Sequence, residues 1–139
     1  MLMTVTYFWA KIYNAVENLG EKLIVRNVIN DNTKLYSVGR GGFVPTRLLS
    51  GKIGVKRVGL IDTGEDNVIE NNCIVVDDIY DTGATYKRLE KVIVDSKAVF
   101  ACLFVRHTML RRLPPNVVFG GVVNSNDYVI FPWESSATD

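Results

Sequence analysis

Residues 73–85, with the sequence CIVVDDIYDTGAT, constrain the fold more than any other part of this chain. The stretch begins with Cys73 to Val76, an apolar and mostly β-branched run that is typical of a strand buried on both faces in a parallel sheet. Two adjacent aspartates are expected to end this strand. The small, hydroxyl-rich turn at 81–85 then precedes a helix-compatible run at 86–94. This order of strand, acids, turn and helix predicts an α/β fold, with the turn at an edge of the sheet.

The same stretch carries groups suited to binding a sugar phosphate. The turn supplies five candidate phosphate ligands: Asp81, Thr82, Gly83, Ala84 and Thr85. A helix N-terminus offers free N–H groups and a positive dipole end, which bind phosphate without a lysine. Asp77 and Asp78 can accept hydrogen bonds from vicinal hydroxyls or help to hold a divalent cation. The alternative is a solvated turn, since Asp, Thr and Gly are common turn residues, but this does not explain the whole order.

The remaining sequence alternates between helix and strand patterns. Apolar residues at helical spacing predict an amphipathic helix that starts after Thr6 and stops at Gly20, with a buried face formed by Phe8, Ile12, Ala15, Val16 and Leu19. Another helix is predicted at 44–52, and strands at 35–38, 55–61, 98–105, 117–123 and 128–131. The alternation predicts one mostly parallel twisted sheet flanked by helices. Ligands bind beyond the carboxyl ends of such strands, where the glycine-rich loop at 39–42, the acidic motif and Arg106 are expected to meet.

Composition excludes several classes of function. The 139 residues predict a single domain, and 47% apolar with 22% charged residues is typical of a globular protein. A net charge of +1 with scattered Lys and Arg predicts no nucleic-acid partner. Cys73 and Cys102 lie in apolar runs without metal-ligand spacing, so they are expected to be reduced core residues of a cytoplasmic protein. The single histidine, His107, is expected at the surface or at a helix cap. Neither a signal peptide nor a membrane span is expected.

The stretch VVDDIYDTGAT, at 75–85, resembles the phosphoribosyl pyrophosphate (PRPP) motif of the type I phosphoribosyltransferases, with Ala84 where many members carry Gly or Lys. The resemblance implies that Asp77 and Asp78 contact the ribose of PRPP and its Mg²⁺. It implies that 81–85 binds the 5-phosphate and that Asp81 is the catalytic acid/base.

The glycine-rich loop resembles a second part of that family. Gly39-Arg40-Gly41-Gly42 with Pro45 behind it is similar to the pyrophosphate loop of bacterial xanthine-guanine and related purine phosphoribosyltransferases, with Gly39 in place of the usual Ser. The resemblance implies that Arg40, Gly41 and Gly42 bind pyrophosphate. Without it, glycines between a strand and a helix are equally well explained as turn residues.

The chain's last third resembles the base-binding part of the same enzymes. Arg106 stands at the strand end where purine enzymes carry a Lys that donates to the 6-oxo group of the base. The segment at 127–134, DYVIFPWE, resembles the base-binding segment, with Tyr128 stacking on the purine and Val129 presenting backbone groups to its edge. The alternatives are an arginine that extends from a strand end into water and an aromatic residue packed in the core.

The resemblance implies a purine phosphoribosyltransferase of purine salvage, active as a homodimer or homotetramer. It would use Mg²⁺ to transfer the phosphoribosyl group of PRPP to guanine, xanthine or hypoxanthine. Only eleven residues separate Ile61 from Cys73, where members of the family carry a longer hood; closure over the site is therefore expected to be partial or supplied by a neighbouring subunit. Two alternatives remain open: a non-catalytic regulatory protein that binds PRPP or nucleotides, and a pyrimidine or orotate phosphoribosyltransferase.

Overall fold

The computed structural model describes residues 3–63 and 66–134. A short 3-10 helix, His107–Arg112, follows the fifth strand. The strands and α-helices in chain order are β1 (Met3–Thr6), α1 (Trp9–Val25), β2 (Lys34–Val38), α2 (Phe43–Ile53), β3 (Arg57–Ile61), β4 (Ile74–Tyr80), α3 (Ala84–Asp95), β5 (Val99–Arg106), β6 (Val117–Val123) and β7 (Asp127–Ile130).

Five of these strands form the main sheet in the order β3-β2-β4-β5-β6, and every neighbouring pair is parallel. The predicted parallel sheet flanked by helices is therefore confirmed. All five carboxyl ends point to the same edge, which brings the loops after β2, β4 and β5 together. No helix within the described ranges is both long and apolar enough to span a membrane.

The strands of the main sheet send alternate side chains to two helical layers. In β4, Ile74 and Val76 pack into a core that includes α1 and Leu49 of α2. Val75 packs on the other face, in a core that includes α3. Because both faces are covered, the central strands have continuous apolar sequences rather than alternating ones.

Helix α1 starts after Thr6 as predicted, but its end and one residue of its predicted buried face differ. The sequence predicts a stop at Gly20, but α1 continues to Val25. Gly20 is buried where α1 crosses α2, and a Cβ atom there would lie 2.6 Å from Cγ of Lys52. This glycine therefore permits a close helix contact instead of ending the helix. Phe8 does not belong to the buried face, because it precedes the helix and is 75% exposed.

The boundaries around the acidic motif also differ. Asp77 and Asp78 do not end β4, which continues to Tyr80 because β5 pairs with it over its whole length. Helix α3 begins at Ala84, two residues before the predicted start. The preceding residue, Gly83, has a φ of 85°, a left-handed conformation that turns the chain sharply from strand to helix.

The predictions for cysteine and histidine are confirmed. Cys73 and Cys102 are free and buried, and burial raises the pKa of both thiols above the ordinary value. His107 is exposed at the start of the 3-10 helix.

A small second sheet, which the sequence did not predict, involves the chain's N-terminal part. Strand β1 pairs in parallel with β7, so that Thr4 lies opposite Tyr128 and Val5 opposite Val129. The segment predicted to bind a base is therefore held as one strand of a two-stranded sheet.

The short connection between β3 and β4 contains neither helix nor strand in its described part, 62–63 and 66–72. The side chain of Asn67 closes it at one point: Nδ2 donates to the carbonyl of Asp62 at 2.5 Å, and Oδ1 accepts from the Asp62 N–H at 3.3 Å. Gly64 and Glu65, which belong to the predicted shortened hood, lie outside the described residues.

Candidate active site

The turn after β4 forms one wall of a cavity of about 320 Å³ at the carboxyl edge of the main sheet. A Cβ atom on Gly83 would lie 2.7 Å from Oη of Tyr80, so glycine is required here for space as well as for backbone conformation. Amides of the first turn of α3 have no acceptor within the helix, and one of them, the Ala84 N–H, donates to Oγ1 of Thr82 at 3.3 Å. All five predicted phosphate ligands line this cavity: Asp81, Thr82, Gly83, Ala84 and Thr85.

The loop after β2 forms the opposite wall with Val38, Gly39, Arg40 and Gly41. Gly42 lies deeper, where a Cβ atom would meet the Val76 carbonyl oxygen at 2.7 Å. The amides of Gly39 and Gly42 already donate within the protein, to the carbonyls of Ile61 and Val38 respectively. The loop's remaining donors for an anion are therefore the amides of Arg40 and Gly41, together with the exposed Arg40 guanidinium.

Two adjacent acids, Asp77 and Asp78, lie between these walls and are together called the acid pair below. Oδ1 of Asp77 accepts from the Asp78 N–H at 2.9 Å, and Oδ1 of Asp78 accepts from the Ile79 N–H at 2.7 Å. Oδ2 of Asp78 faces Gly41, 3.0 Å from where a Cβ atom would be placed on that glycine. One carboxylate oxygen of Asp78 is thus held by the backbone while the other points at the glycine-rich loop.

Burial makes the acid pair difficult to ionise. Burial raises the pKa of Asp77 well above its ordinary value, and the nearby charge of Asp78 raises it further. Burial also raises the pKa of Asp78, from 3.8 to about 6, against the lowering effect of the hydrogen bonds that it accepts. A cation placed beside the acid pair would favour the ionised forms and offset this cost.

The donors present suit a hard cation that brings other ligands with it. Within the described ranges, no three His, Cys, Asp or Glu side chains form a group able to hold a metal by themselves. Mg²⁺ is commonly bound by one or two carboxylates together with substrate phosphates. Asp77 and Asp78 could supply such carboxylates next to a bound diphosphate.

Arg106 is only 12% exposed, and its guanidinium joins two parts of the site. Nε donates to Oδ1 of Asp81 at 2.9 Å. Nη1 donates to the carbonyl of Asn124 at 2.8 Å and also to the carbonyl of Asp127. Among the described residues these bonds use Nε and Nη1 only, so the two Nη2 hydrogens remain for another acceptor. Arg106 therefore does not extend freely into water.

The predicted base ligands on β7 follow a turn that this arginine contacts, and they do not line the phosphate cavity. Tyr128 is 52% exposed and Val129 is half-buried. Neither residue lines the cavity formed by the 81–85 turn and the glycine-rich loop. The turn at 124–127, whose carbonyls accept from Arg106, connects them to it. The structure thus brings the predicted phosphate and ribose ligands together with Arg40 and Gly41, whereas Gly42 lies behind the cavity and its amide is already bonded. The turn that Arg106 contacts links the predicted base ligands to this group.

A second cavity, of about 550 Å³, was not predicted from the sequence. It lies on another side of Arg40, Gly41 and Asp78, and its walls include Trp133 and Glu134. Glu134 is close enough for its charge to contribute to the raised pKa of Asp78. The sequence signal was present in the Pro-Trp-Glu run at 132–134, but only the fold shows that this run reaches the acid pair.

Comparison with known proteins extends these observations. No protein-family model matches the chain. A purine phosphoribosyltransferase from Pyrococcus horikoshii is similar in structure, with a TM-score of 0.72 and 22% identity over 98% of this chain and 97% of that one. A xanthine-guanine-hypoxanthine phosphoribosyltransferase from Helicobacter pylori has a TM-score of 0.73 and 22% identity, over 95% and 94% of the two chains.

A hypothetical protein from Neisseria gonorrhoeae with bound ppGpp has a TM-score of 0.75 and 17% identity, over 99% of this chain and 92% of that one. At such identities the similarity is one of fold, and it extends over nearly the whole length of each of these chains. Together with the parallel sheet and the position of the acidic motif after β4, it shows that the chain has the type I phosphoribosyltransferase fold.

Proposed function

We propose that this protein is a purine phosphoribosyltransferase, which transfers the 5-phosphoribosyl group of PRPP to a 6-oxopurine and releases pyrophosphate. One observation carries the proposal: the 81–85 turn, the acid pair and the glycine-rich loop line a single cavity at the carboxyl edge of the sheet. These three features suit the three parts of PRPP: the turn suits the 5-phosphate, the acid pair the ribose, and the loop the pyrophosphate.

In the proposed complex the 5-phosphate binds the amides and hydroxyls of 81–85, and the ribose hydroxyls donate to Asp77 and Asp78. Pyrophosphate binds the amides of Arg40 and Gly41 and the Arg40 guanidinium. Mg²⁺, held by the acid pair and the diphosphate, would supply positive charge that stabilises the leaving group. The base lies beside Tyr128 and Val129, with Nη2 of Arg106 as a donor for its 6-oxo group.

In the reaction a nitrogen of the purine's five-membered ring forms a bond to the anomeric carbon. The bond from that carbon to the pyrophosphate oxygen breaks, and its electron pair leaves with pyrophosphate. Positive charge that develops on the sugar is stabilised by the carboxylates of Asp77 and Asp78. Asp81 accepts the proton that the purine nitrogen loses.

The test is a direct assay of the purified protein with PRPP, Mg²⁺ and guanine, xanthine, hypoxanthine, adenine or orotate. Nucleotide and pyrophosphate should form in equal amounts with at least one 6-oxopurine. Asp81→Asn is expected to lower kcat by about a hundredfold or more, while the control Asp95→Asn, at an exposed position at the end of α3, keeps the wild-type rate. Product with orotate alone would favour the pyrimidine alternative.

A second candidate function is nucleotide binding without turnover. It is favoured by the similar Neisseria gonorrhoeae structure, whose bound molecule is ppGpp. Titration calorimetry with ppGpp and with PRPP separates the candidates. Tight binding of ppGpp together with no product from any base would replace the enzyme by a regulatory binding protein.

The proposed assembly is a homodimer or homotetramer. Light scattering after size-exclusion chromatography measures the mass directly, and a mass of about 15.6 kDa would contradict the proposal.

A further inference from the structure

We propose that Arg106 is a positioning residue that couples the 81–85 turn, called the phosphate cradle below, to the base segment at 127–134. Ligand binding at one of these segments would then order the other. This inference rests on the proposed function for its kinetic consequences. Its structural consequence, the coupling itself, can be measured without any turnover.

The first step is the position of the arginine. Arg106 is the last residue of β5, paired with Val123 at the end of β6. Its backbone is therefore fixed by the sheet, and its side chain is 12% exposed. A side chain anchored in this way transmits a displacement of one contact to the others, whereas a long side chain in water would not.

The second step is the set of partners. Nε is bonded to the carboxylate of Asp81, in the turn that forms the cradle. Nη1 is bonded to the carbonyls of Asn124 and Asp127, at either end of the turn that leads into β7. Residues 86–123 separate these two segments in the sequence, and the guanidinium connects them directly. Charge-assisted hydrogen bonds from the planar guanidinium fix the positions of Asp81 and of the 124–127 turn relative to each other.

The third step is the consequence for a ligand. Asp81 is 54% exposed, so its carboxylate is restrained mainly by Arg106 and by whatever binds the turn. A phosphate bound to 81–85 reduces the motion of Asp81. Through the hydrogen bonds of the Arg106 guanidinium, it also reduces the motion of the 124–127 turn. Tyr128 and Val129 follow this turn directly, so the base segment becomes ordered before a base arrives. Arg106 is thereby distinguished from a residue that only touches the base.

The experiment measures amide hydrogen exchange by mass spectrometry in peptides covering 124–130, with and without ribose 5-phosphate. In the wild type the ligand should slow exchange in these peptides. In Arg106→Met exchange without ligand should rise by about tenfold or more, because two carbonyls lose their donor, and the ligand's effect should disappear. The matched control is Arg112→Met, which removes an exposed arginine from the 3-10 helix and should behave as the wild type.

Arg106→Lys keeps the positive charge but cannot bond to Asp81 and to both carbonyls with one planar group. It provides a test if Arg106→Met does not fold. It should keep a melting temperature near that of the wild type and still lose the ligand's effect on 124–130. In steady-state assays both variants should raise KM for the base and lower kcat, by about a hundredfold together in kcat/KM, with PRPP affinity changed by less than about threefold.

Unchanged exchange at 124–130 in both variants, or a ligand effect that survives in them, would overturn the proposal. Equal losses of stability and of PRPP affinity, without a specific effect on the base segment, would also overturn it and leave Arg106 a structural residue. Absence of turnover in the wild type, by contrast, refutes the proposed function and leaves the exchange result to decide the coupling.

Discussion

Asp78 imposes a stability cost that a single substitution should relieve. Its carboxyl is largely buried, and burial raises its pKa to about 6 from an ordinary 3.8. Asp78→Asn removes the charge and preserves the shape, and Oδ1 of the new side chain can still accept from the Ile79 N–H, as Oδ1 of Asp78 does at 2.7 Å. We therefore expect Asp78→Asn to be more stable than the wild type at neutral pH, in spite of its place in the candidate site.

The pKa of Asp78 gives the direction in which the free energy of unfolding changes with pH, and the pH range in which it changes. Between about pH 4 and pH 6 the folded protein holds a proton on Asp78 that the unfolded chain has lost, so the free energy of unfolding falls as pH rises. Above pH 6 Asp78 is ionised in both states, so its own contribution no longer changes with pH. A difference of about two pKa units, at about 1.36 kcal/mol each, gives a full cost of about 3 kcal/mol. The new amide also brings N–H donors that need acceptors near Gly41, so the expected net gain in the free energy of unfolding at pH 8 is about 1 to 3 kcal/mol.

Urea denaturation at pH 4, 5, 6, 7 and 8, without Mg²⁺, measures this directly. The gap between the free energies of unfolding of Asp78→Asn and the wild type should widen from pH 4 to pH 6. Asp31→Asn, at an exposed turn position, is the control and should follow the wild type at every pH. A gap at pH 8 below about 0.5 kcal/mol, or one of equal size at pH 4 and pH 8, would refute the argument that burial of this charge destabilises the fold.

Three further predictions concern glycines and protons. Gly120→Ala should lower the free energy of unfolding by about 1 to 3 kcal/mol or more, because its Cβ would lie 2.1 Å from the Ala15 carbonyl oxygen. Gly51→Ala, at an exposed position in α2, should instead raise the free energy of unfolding by up to about 1 kcal/mol in the same urea titration. Gly83→Ala should weaken PRPP binding, measured by calorimetry, by about tenfold or more. The residue has a φ of 85°, and its new Cβ would lie 2.7 Å from Oη of Tyr80. An unchanged affinity would contradict the role of this turn. Binding of PRPP with Mg²⁺ should release protons at pH 6, including up to about half a proton from Asp78, whose pKa is about 6. Calorimetry in buffers of different ionisation enthalpy counts these protons, and proton uptake instead of release would argue against a cation beside the acid pair.

Local patterns predicted most of the secondary structure because their causes are local. A β-branched run such as 73–76 and the helical spacing from Ile12 to Leu19 depend on neighbours a few residues away. The turn at 81–85 is predictable for the same reason, since a left-handed glycine and a helix N-terminus are both encoded within five residues. Because parallel strands direct their carboxyl ends to one edge, the meeting of this turn with the glycine-rich loop also followed from the sequence.

Where the sequence led to a wrong boundary, a contact distant in the chain decided the outcome. Gly20 is typical of a helix end, but close packing against Lys52 keeps it inside α1. Asp77 and Asp78 are typical of a strand end, but pairing with β5 extends β4 past them. The two-stranded sheet of β1 and β7 joins the first described residues to the last third of the chain, and no local pattern announces such a pairing.

Strand periodicity, turn chemistry and the order of elements are properties of short segments, so the amino-acid sequence alone was enough to predict the fold class and the kinds of side chain at the carboxyl edge. The ionisation and the contacts of those side chains depend on the folded structure. Burial between β2 and β5 makes the acid pair difficult to ionise, and the neighbourhood of Asp81, Asn124 and Asp127 gives Arg106 three partners. Both effects depend on what surrounds a side chain in space, and residues far apart in the sequence supply those surroundings.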